Sequence, residues 1–126
     1  MNNIPIVFST DHNYIMPTGV ALTSLLDCSK DVFCDIKILH SVGITDEDKQ
    51  MLTSIVNKYE ARIEFICVNN ELTDKAFEIR GITTACYYRL QIPWLLPQYD
   101  KVIYLDGDIV VKKSISNLYN LNIISL

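Results

Sequence analysis

The chain has 126 residues, 49 % of them hydrophobic, with four glycines, four prolines and a net charge of −4. That length suits one domain with a proper core, and so little glycine and proline excludes low-complexity or disordered chains. The acidic balance excludes general nucleic-acid binding, because no basic stripe exists to neutralise phosphates and Lys112-Lys113 is the only basic doublet.

Ile4 to Ser9 is an apolar run closed by the polar cluster Thr10-Asp11-His12-Asn13, which reads as a buried strand ending in a loop. Pro17-Thr18 opens a helix whose Val20, Leu22, Leu25 and Leu26 share one face. Phe33 to His40 alternates Ile36 and Ile38 against Asp35 and Lys37, a strand pattern. Thr45-Asp46-Glu47-Asp48 starts a second helix with acids in its first turn, and Met51, Leu52, Ile55, Val56 and Tyr59 turn toward a core. Arg62 to Val68 is a third strand of period two. Thr83 to Leu96 is an apolar helix interrupted by Pro93, Lys101 to Leu105 a fourth strand, and Ser114 to Leu121 one or two helical turns.

Strands alternating with helices predict an α/β domain with a mainly parallel sheet over residues 1–126. The four cysteines, Cys28, Cys34, Cys67 and Cys86, have no C-x-x-C spacing and lie in apolar or half-apolar stretches. Reduced, buried thiols in an intracellular protein are expected. The start MNNIPIVFS lacks a basic n-region, and no stretch approaches membrane-spanning length. The expectation is a cytoplasmic chain without a transmembrane segment.

In open parallel sheets, ligands bind beyond the carboxyl ends of the strands, where strand order reverses. Two expected strands end in acid-rich loops, the first at Thr10-Asp11-His12-Asn13 and the fourth at Asp106-Gly107-Asp108. If those strands are neighbours, the loops form one site. Two aspartates two positions apart point the same way on extended backbone. Such a pair is unfavourable unless something positive lies between its charges.

Hard divalent cations take oxygen ligands, and Mg²⁺ or Mn²⁺ is commonly held by one or two carboxylates plus substrate phosphates. The intervening Gly107 lets a ligand approach the backbone. The bland alternative is a turn in which one aspartate caps the next segment and the other faces water. The strand VIYL just before the pair favours the metal reading, because it puts the carboxylates at a strand's carboxyl end. An EF-hand loop fails, since Val110 and Val111 stand where an oxygen ligand and a glycine are required. A glycosidase pair fits less well, because near neighbours on one strand share a cation better than they flank a sugar bond. An apolar strand followed by Asp-x-Asp-x-Val also resembles the nucleophile motif of haloacid-dehalogenase-like phosphatases, with Asp106 attacking phosphorus. That motif normally opens its domain, whereas this one lies near the end of the chain.

IVFSTDHNY, ITTACYYRL and DKVIYLDGDIVVKKSISNLYNL, in that order, resemble glycosyltransferase family 8. This is the group containing glycogenin and the bacterial lipopolysaccharide glucosyl- and galactosyltransferases. The resemblance runs through nearly the whole chain and corresponds to the N-terminal, donor-binding half of such an enzyme.

It implies a Rossmann-like nucleotide-diphospho-sugar transferase domain and transfer with retention of anomeric configuration. By the same resemblance, Asp106 and Asp108 hold Mn²⁺, with Mg²⁺ as substitute, and the donor diphosphate. Ser9, Asp11 and Asn13, with Tyr14 nearby, fall on the uridine loop, and Tyr87 and Arg89 lie near the donor sugar and phosphates. His12 stands where the family varies, so Thr10 and His12 are expected to be loop structure. The family's third metal ligand, a histidine near the C-terminal end with a lysine after it that reaches the diphosphate, is not among these 126 residues, so the expectation is a fragment or a truncated relative with an incomplete site. The implied donor is UDP-glucose or UDP-galactose and the acceptor a saccharide of lipopolysaccharide type. In the whole enzyme, placement against the inner membrane face is expected, and an exposed apolar face allows self-association.

Read from the residues alone, Asp11 and Asn13 also suit a turn. Arg89 among Tyr87, Tyr88, Leu90 and Ile92 calls for an anionic partner, either a ligand or a structural carboxylate. A nucleotide-diphosphate binding module without catalysis remains the alternative function.

Overall fold

Beyond its first residue, β1 (Asn3–Thr10) is buried throughout, as an apolar run in the middle of a parallel sheet must be. The structure, a computed structural model, describes residues 3–68 and 92–121. β1 pairs in parallel with β2 (Phe33–His40) on one side and with β4 (Ile103–Leu105) on the other. β3 (Ala61–Cys67) adds to β2, giving the order β3-β2-β1-β4 with every pair parallel. Strand order therefore runs outward from β1 to β3 and reverses to β4. The switch point lies between β1 and β4.

Helices α1 (Ile15–Cys28) and α2 (Asp46–Val56) cover one sheet face. Their Leu22, Leu25, Leu26, Leu52 and Val56 join Ile4, Ile6, Phe8, Ile36, Ile38 and Ile103 in the main core. α1 begins at Ile15, two residues before the expected start. Pro17 then occupies its first turn, where a missing N–H leaves no intrahelical bond unmade. Val20, expected on the buried face, is instead 56 % exposed. Gly19 faces α2 in its place: a Cβ there would meet Ile55 Cδ1 and Met51 Cε at 3.4 Å. A side chain at 19 would thus be in ordinary contact with α2, so position 19 and not Val20 lies on the inward face of α1. α2 carries the expected acids in its first turn and a full capping box between Thr45 and Asp48. Leu52 and Val56 are buried, whereas Met51, Ile55 and Tyr59 are half-buried at its edge.

On the opposite face Val7, Leu39, Val68, Ile92 and Leu96 form a smaller core under the short helix α3 (Ile92–Leu95). Of the helix expected over 83–96, only α3 falls within the described residues. The last element is α4 (Ser116–Tyr119).

Alternation in β2 predicts a solvated polar face, yet Asp35 and Lys37 are both buried. Asp35 accepts hydrogen bonds from Arg62 Nε at 3.1 Å, Arg62 Nη2 at 2.6 Å and the Tyr99 hydroxyl at 2.8 Å. Lys37 Nζ lies 3.4 Å from Asp35 Oδ1 and 3.0 Å from Glu64 Oε1. Burial alone would raise the Asp35 pKa, but the Arg62 and Tyr99 hydrogen bonds and the Lys37 charge overcome it and hold it below its ordinary value.

Cys28, Cys34 and Cys67 are free thiols. Burial pushes Cys34 up to about 11, which makes it inert. Cys67 is exposed, against the expectation of buried thiols: it shares the core-facing side of β3 with Ala61, Ile63 and Phe65 but stands at the very end of this edge strand. Cys86 lies outside the described residues. Among the described residues no helix is long and apolar enough to cross a membrane.

Candidate functional site

The last paired residues of β1 and β4 are Phe8 and Leu105. β4 ends there, while β1 runs two residues further beside β2, to Thr10, so the loop that starts at Asp106 opens beside the end of β1. Gly107 marks how closely they meet. A Cβ at Gly107 would lie 2.7 Å from Thr18 Oγ1 and 3.7 Å from the Ser9 carbonyl oxygen. Thr18 is fully buried in α1, and its hydroxyl shares a 2.9 Å hydrogen bond with that of Thr10. The glycine thus has a packing reason in Thr18.

A buried, β-branched threonine cannot swing clear cheaply. Gly107→Ala is expected to cost about 1–3 kcal/mol of stability. Thr18→Ala in the same chain should recover part of that loss, and a double-mutant cycle of denaturation midpoints is the measurement. Strictly additive losses would mean that the two residues do not press on one another.

Beyond Thr10 the chain makes a single 3-10 turn over His12–Tyr14. Asp11 caps it, its Oδ1 accepting the Tyr14 N–H at 3.1 Å. Asp11 Oδ2 takes no part in that bond. The Asn13 and Tyr14 side chains are exposed, while Ser9 is buried and its Oγ finds no hydrogen-bond partner among the described residues. His12 reaches away from the loop to α2, where Nδ1 lies 2.7 Å from Asp48 Oδ2. Asp48's hydrogen bond and charge, with Asp11's charge adding, raise the His12 pKa. His12 and the Thr45 N–H in turn lower that of Asp48. His12 therefore belongs to the turn, as expected, whereas Thr10 is not loop but the buried last residue of β1, paired with His40.

The Asp106 and Asp108 side chains are exposed, and among the described residues neither enters an ion pair. Their donor atoms are all hard oxygens, which fits Mn²⁺ or Mg²⁺. No third His, Cys, Asp or Glu completes a metal cluster among the described residues. A cation here would therefore need further oxygens, such as those of a diphosphate. Of the site residues expected from sequence, Ser9, Asp11, Asn13, Tyr14, Asp106 and Asp108 border this one end of the sheet. Tyr87 and Arg89 lie outside the described residues.

Two contributors escaped the sequence reading. Thr18 was legible only as a helix opener. Asp48 announced itself as a capping residue, but nothing local points to a partner 36 residues away.

Comparison with known proteins bears on the family and the fold. General stress protein A of Bacillus subtilis is 34 % identical over 121 residues, which are 94 % of this chain and 42 % of that protein. The lipopolysaccharide 1,3-galactosyltransferase of Salmonella typhimurium is 29 % identical over 122 residues, 93 % of this chain and 35 % of the enzyme. The chain thus spans less than half the length of either relative. The solved structure of galactosyltransferase LgtC in complex with donor and acceptor sugar analogues superposes with a TM-score of 0.79 at 27 % identity, covering 94 % of this chain and 43 % of LgtC. The match to Glycosyl transferase family 8 spans residues 5–125 and takes in both loops at the switch point, so the chain belongs to that family.

Proposed function

We propose that this chain forms the donor side of a retaining hexosyltransferase that uses a UDP-sugar and a divalent cation. One observation carries the reading: β4 pairs directly with β1, which sets the carboxylate pair beside the Ser9–Tyr14 loop at the switch point. Asp11 Oδ2 and the Asn13 amide can offer an acceptor and a donor to the polar edge of uracil. Asp106 and Asp108 would hold Mn²⁺, or Mg²⁺ in its place. A cation bound there supplies positive charge to the departing diphosphate. The chain's own part is to bind the base, to orient the diphosphate against the carboxylate pair, and to keep the β1 and β4 loops in register.

Glucose or galactose is the transferred sugar that best suits this reading, and a saccharide of lipopolysaccharide type the acceptor. The named function of the Salmonella relative supports that choice. Family membership removes the ground for a phosphatase using Asp106 as nucleophile. Self-association has its candidate surface in exposed Met16 and Val20 on α1.

The test is base selectivity. A site built to pair with particular edge groups rejects bases that leave its own groups unpaired. UDP is expected to bind about tenfold or more tightly than ADP or GDP, read by saturation-transfer NMR competition. Equal binding of all three would reduce the loop to a plain turn. Binding of UDP without turnover of a labelled UDP-hexose would instead favour the non-catalytic nucleotide-binding module.

A further inference from the structure

A turn of three residues has few bonds to hold its shape. The one over His12–Tyr14 is closed by Asp11 alone, through its carbonyl and its carboxylate to the Tyr14 N–H. Among the described side-chain hydrogen bonds, one ties this turn to the body of the domain: His12, on Asp48 at 2.7 Å. The anchor itself is fixed. Asp48 Oδ2 also accepts the Thr45 N–H at 3.1 Å, and the Asp48 N–H donates to Thr45 Oγ1 at 3.1 Å. Asp48 is buried, while His12 lies at the surface, where solvent can reach it. The latch thus joins the loop after β1 to the first turn of α2, an element that touches neither Asp106 nor Asp108 in any described bond.

Resting on the nucleotide reading of residues 9–14, we propose that His12 is a positioning residue, held by Asp48 so that the turn presents Asp11 and Asn13 to the base of a nucleoside diphosphate. His12 itself contacts no part of the ligand in this role. Its effect passes through the turn, so it changes affinity and not the chemistry of transfer.

The charges that act on His12 are Asp48 from α2 and Asp11 from its own turn, both negative. They favour the imidazolium. Its pKa is raised in the folded chain, so the latch is at full strength below the ordinary 6.5 and is released as pH rises through the folded value. The Asp48 pKa is lowered, so its contribution is present above the ordinary 3.8 and lost only as pH falls through its folded value. Between those two ordinary values both partners are charged. Above the folded His12 value the loop keeps at most a hydrogen bond between the neutral imidazole and the Asp48 carboxylate.

Calorimetric titration of the full chain with UDP at about pH 6 and about pH 8.5 reads this out, each variant being divided by wild type at the same pH to cancel the nucleotide's own ionisation. At the lower pH His12→Ala is expected to weaken UDP binding about two- to fivefold, the range of a solvent-accessible ion pair, and at the higher pH to change it little. His12→Gln should behave at both values as wild type does at high pH. His12→Arg, whose charge is permanent, should keep the low-pH affinity at both. Hydrogen exchange at the Tyr14 amide, without nucleotide, should speed up in His12→Ala at the lower pH only. UDP binding that His12→Ala leaves unchanged at the lower pH overturns the proposal alone. Absence of UDP binding by wild type at either pH overturns the nucleotide reading, and the proposal with it.

Discussion

Asp106→Asn and Asp108→Asn are each expected to abolish the gain in UDP affinity that Mn²⁺ confers, a loss of about a hundredfold or more. Even partners that only support metal ligands cost ten- to a hundredfold in affinity when removed, and a direct ligand should cost at least as much. On the proposed reading the two carboxylates would be the protein's side-chain donors, because among the described residues no third His, Cys, Asp or Glu joins them. An amide keeps one oxygen but gives up the charge that a hard cation requires. Fold stability should hardly change, since both side chains are exposed and outside any described ion pair. That separates a lost ligand from a lost fold. Titration of UDP with and without Mn²⁺, beside thermal melts of the same samples, is the measurement. Asp100→Asn, an exposed loop change elsewhere, serves as control. Equal Mn²⁺ synergy in wild type and Asp106→Asn would sink the assignment of the pair as metal ligands.

The second large effect is on stability. Asp35→Ala leaves Lys37 buried with Glu64 as its one remaining carboxylate and strips the Tyr99 hydroxyl and Arg62 of their acceptor. Breaking a buried pair from one side typically costs about 3–5 kcal/mol, and the retained Glu64 puts this case near the lower end. The sign with pH follows from both partners. Asp35 has a lowered pKa, so its contribution exists above the ordinary 3.8 and fades as pH falls through the folded value. Burial lowers the Lys37 pKa, but the Glu64 hydrogen bond and the neighbouring carboxylates outweigh it and leave it raised. Its contribution is therefore whole below the ordinary 10.5. The stability gap between wild type and Asp35→Ala should stay level across neutral pH and narrow in acid, by at most about 1 kcal/mol at about pH 3. Urea denaturation at about pH 7 and about pH 3 tests it. A gap that persists undiminished in acid would show that the loss is one of packing and not of charge.

That same network marks the limit of local reading. β1 and β3 were legible to within a residue at their starts and β2 at both ends, because apolar runs and period-two alternation are properties of consecutive residues. The burial of Asp35 and Lys37 was not legible, since the groups that neutralise them lie 27 residues away in β3 and 64 residues away at Tyr99. Val20 and Gly19 differ for a related reason: which of the two faces inward depends on how α1 is turned against α2 and the sheet. At the site, Asp106 and Asp108 could be singled out because an apolar strand ends on them. Their nearness to Asp11 and Asn13 could only be a condition, because strand order is written in no short segment. His12 was read correctly as loop structure, yet its anchor on Asp48 needed the packing of α2 to become visible.

Gly107 against Thr18 is one of several points where the segment after β4 lies along α1. The Val111 N–H donates to Ser24 Oγ across 87 residues of chain, the Ile115 N–H to Ser29 Oγ across 86, and the Ser114 hydroxyl to Asp31 across 83. The bonds that join β2 to β3 span 27. Loop-closure entropy grows with the logarithm of that separation, so each of the longer closures is harder by about 1 kcal/mol. In kinetic terms, β1, α1, β2, α2 and β3 can assemble from near neighbours in sequence, while the carboxylate loop must wait for contacts across most of the chain. The half of the site that would carry the metal is the last to arrive.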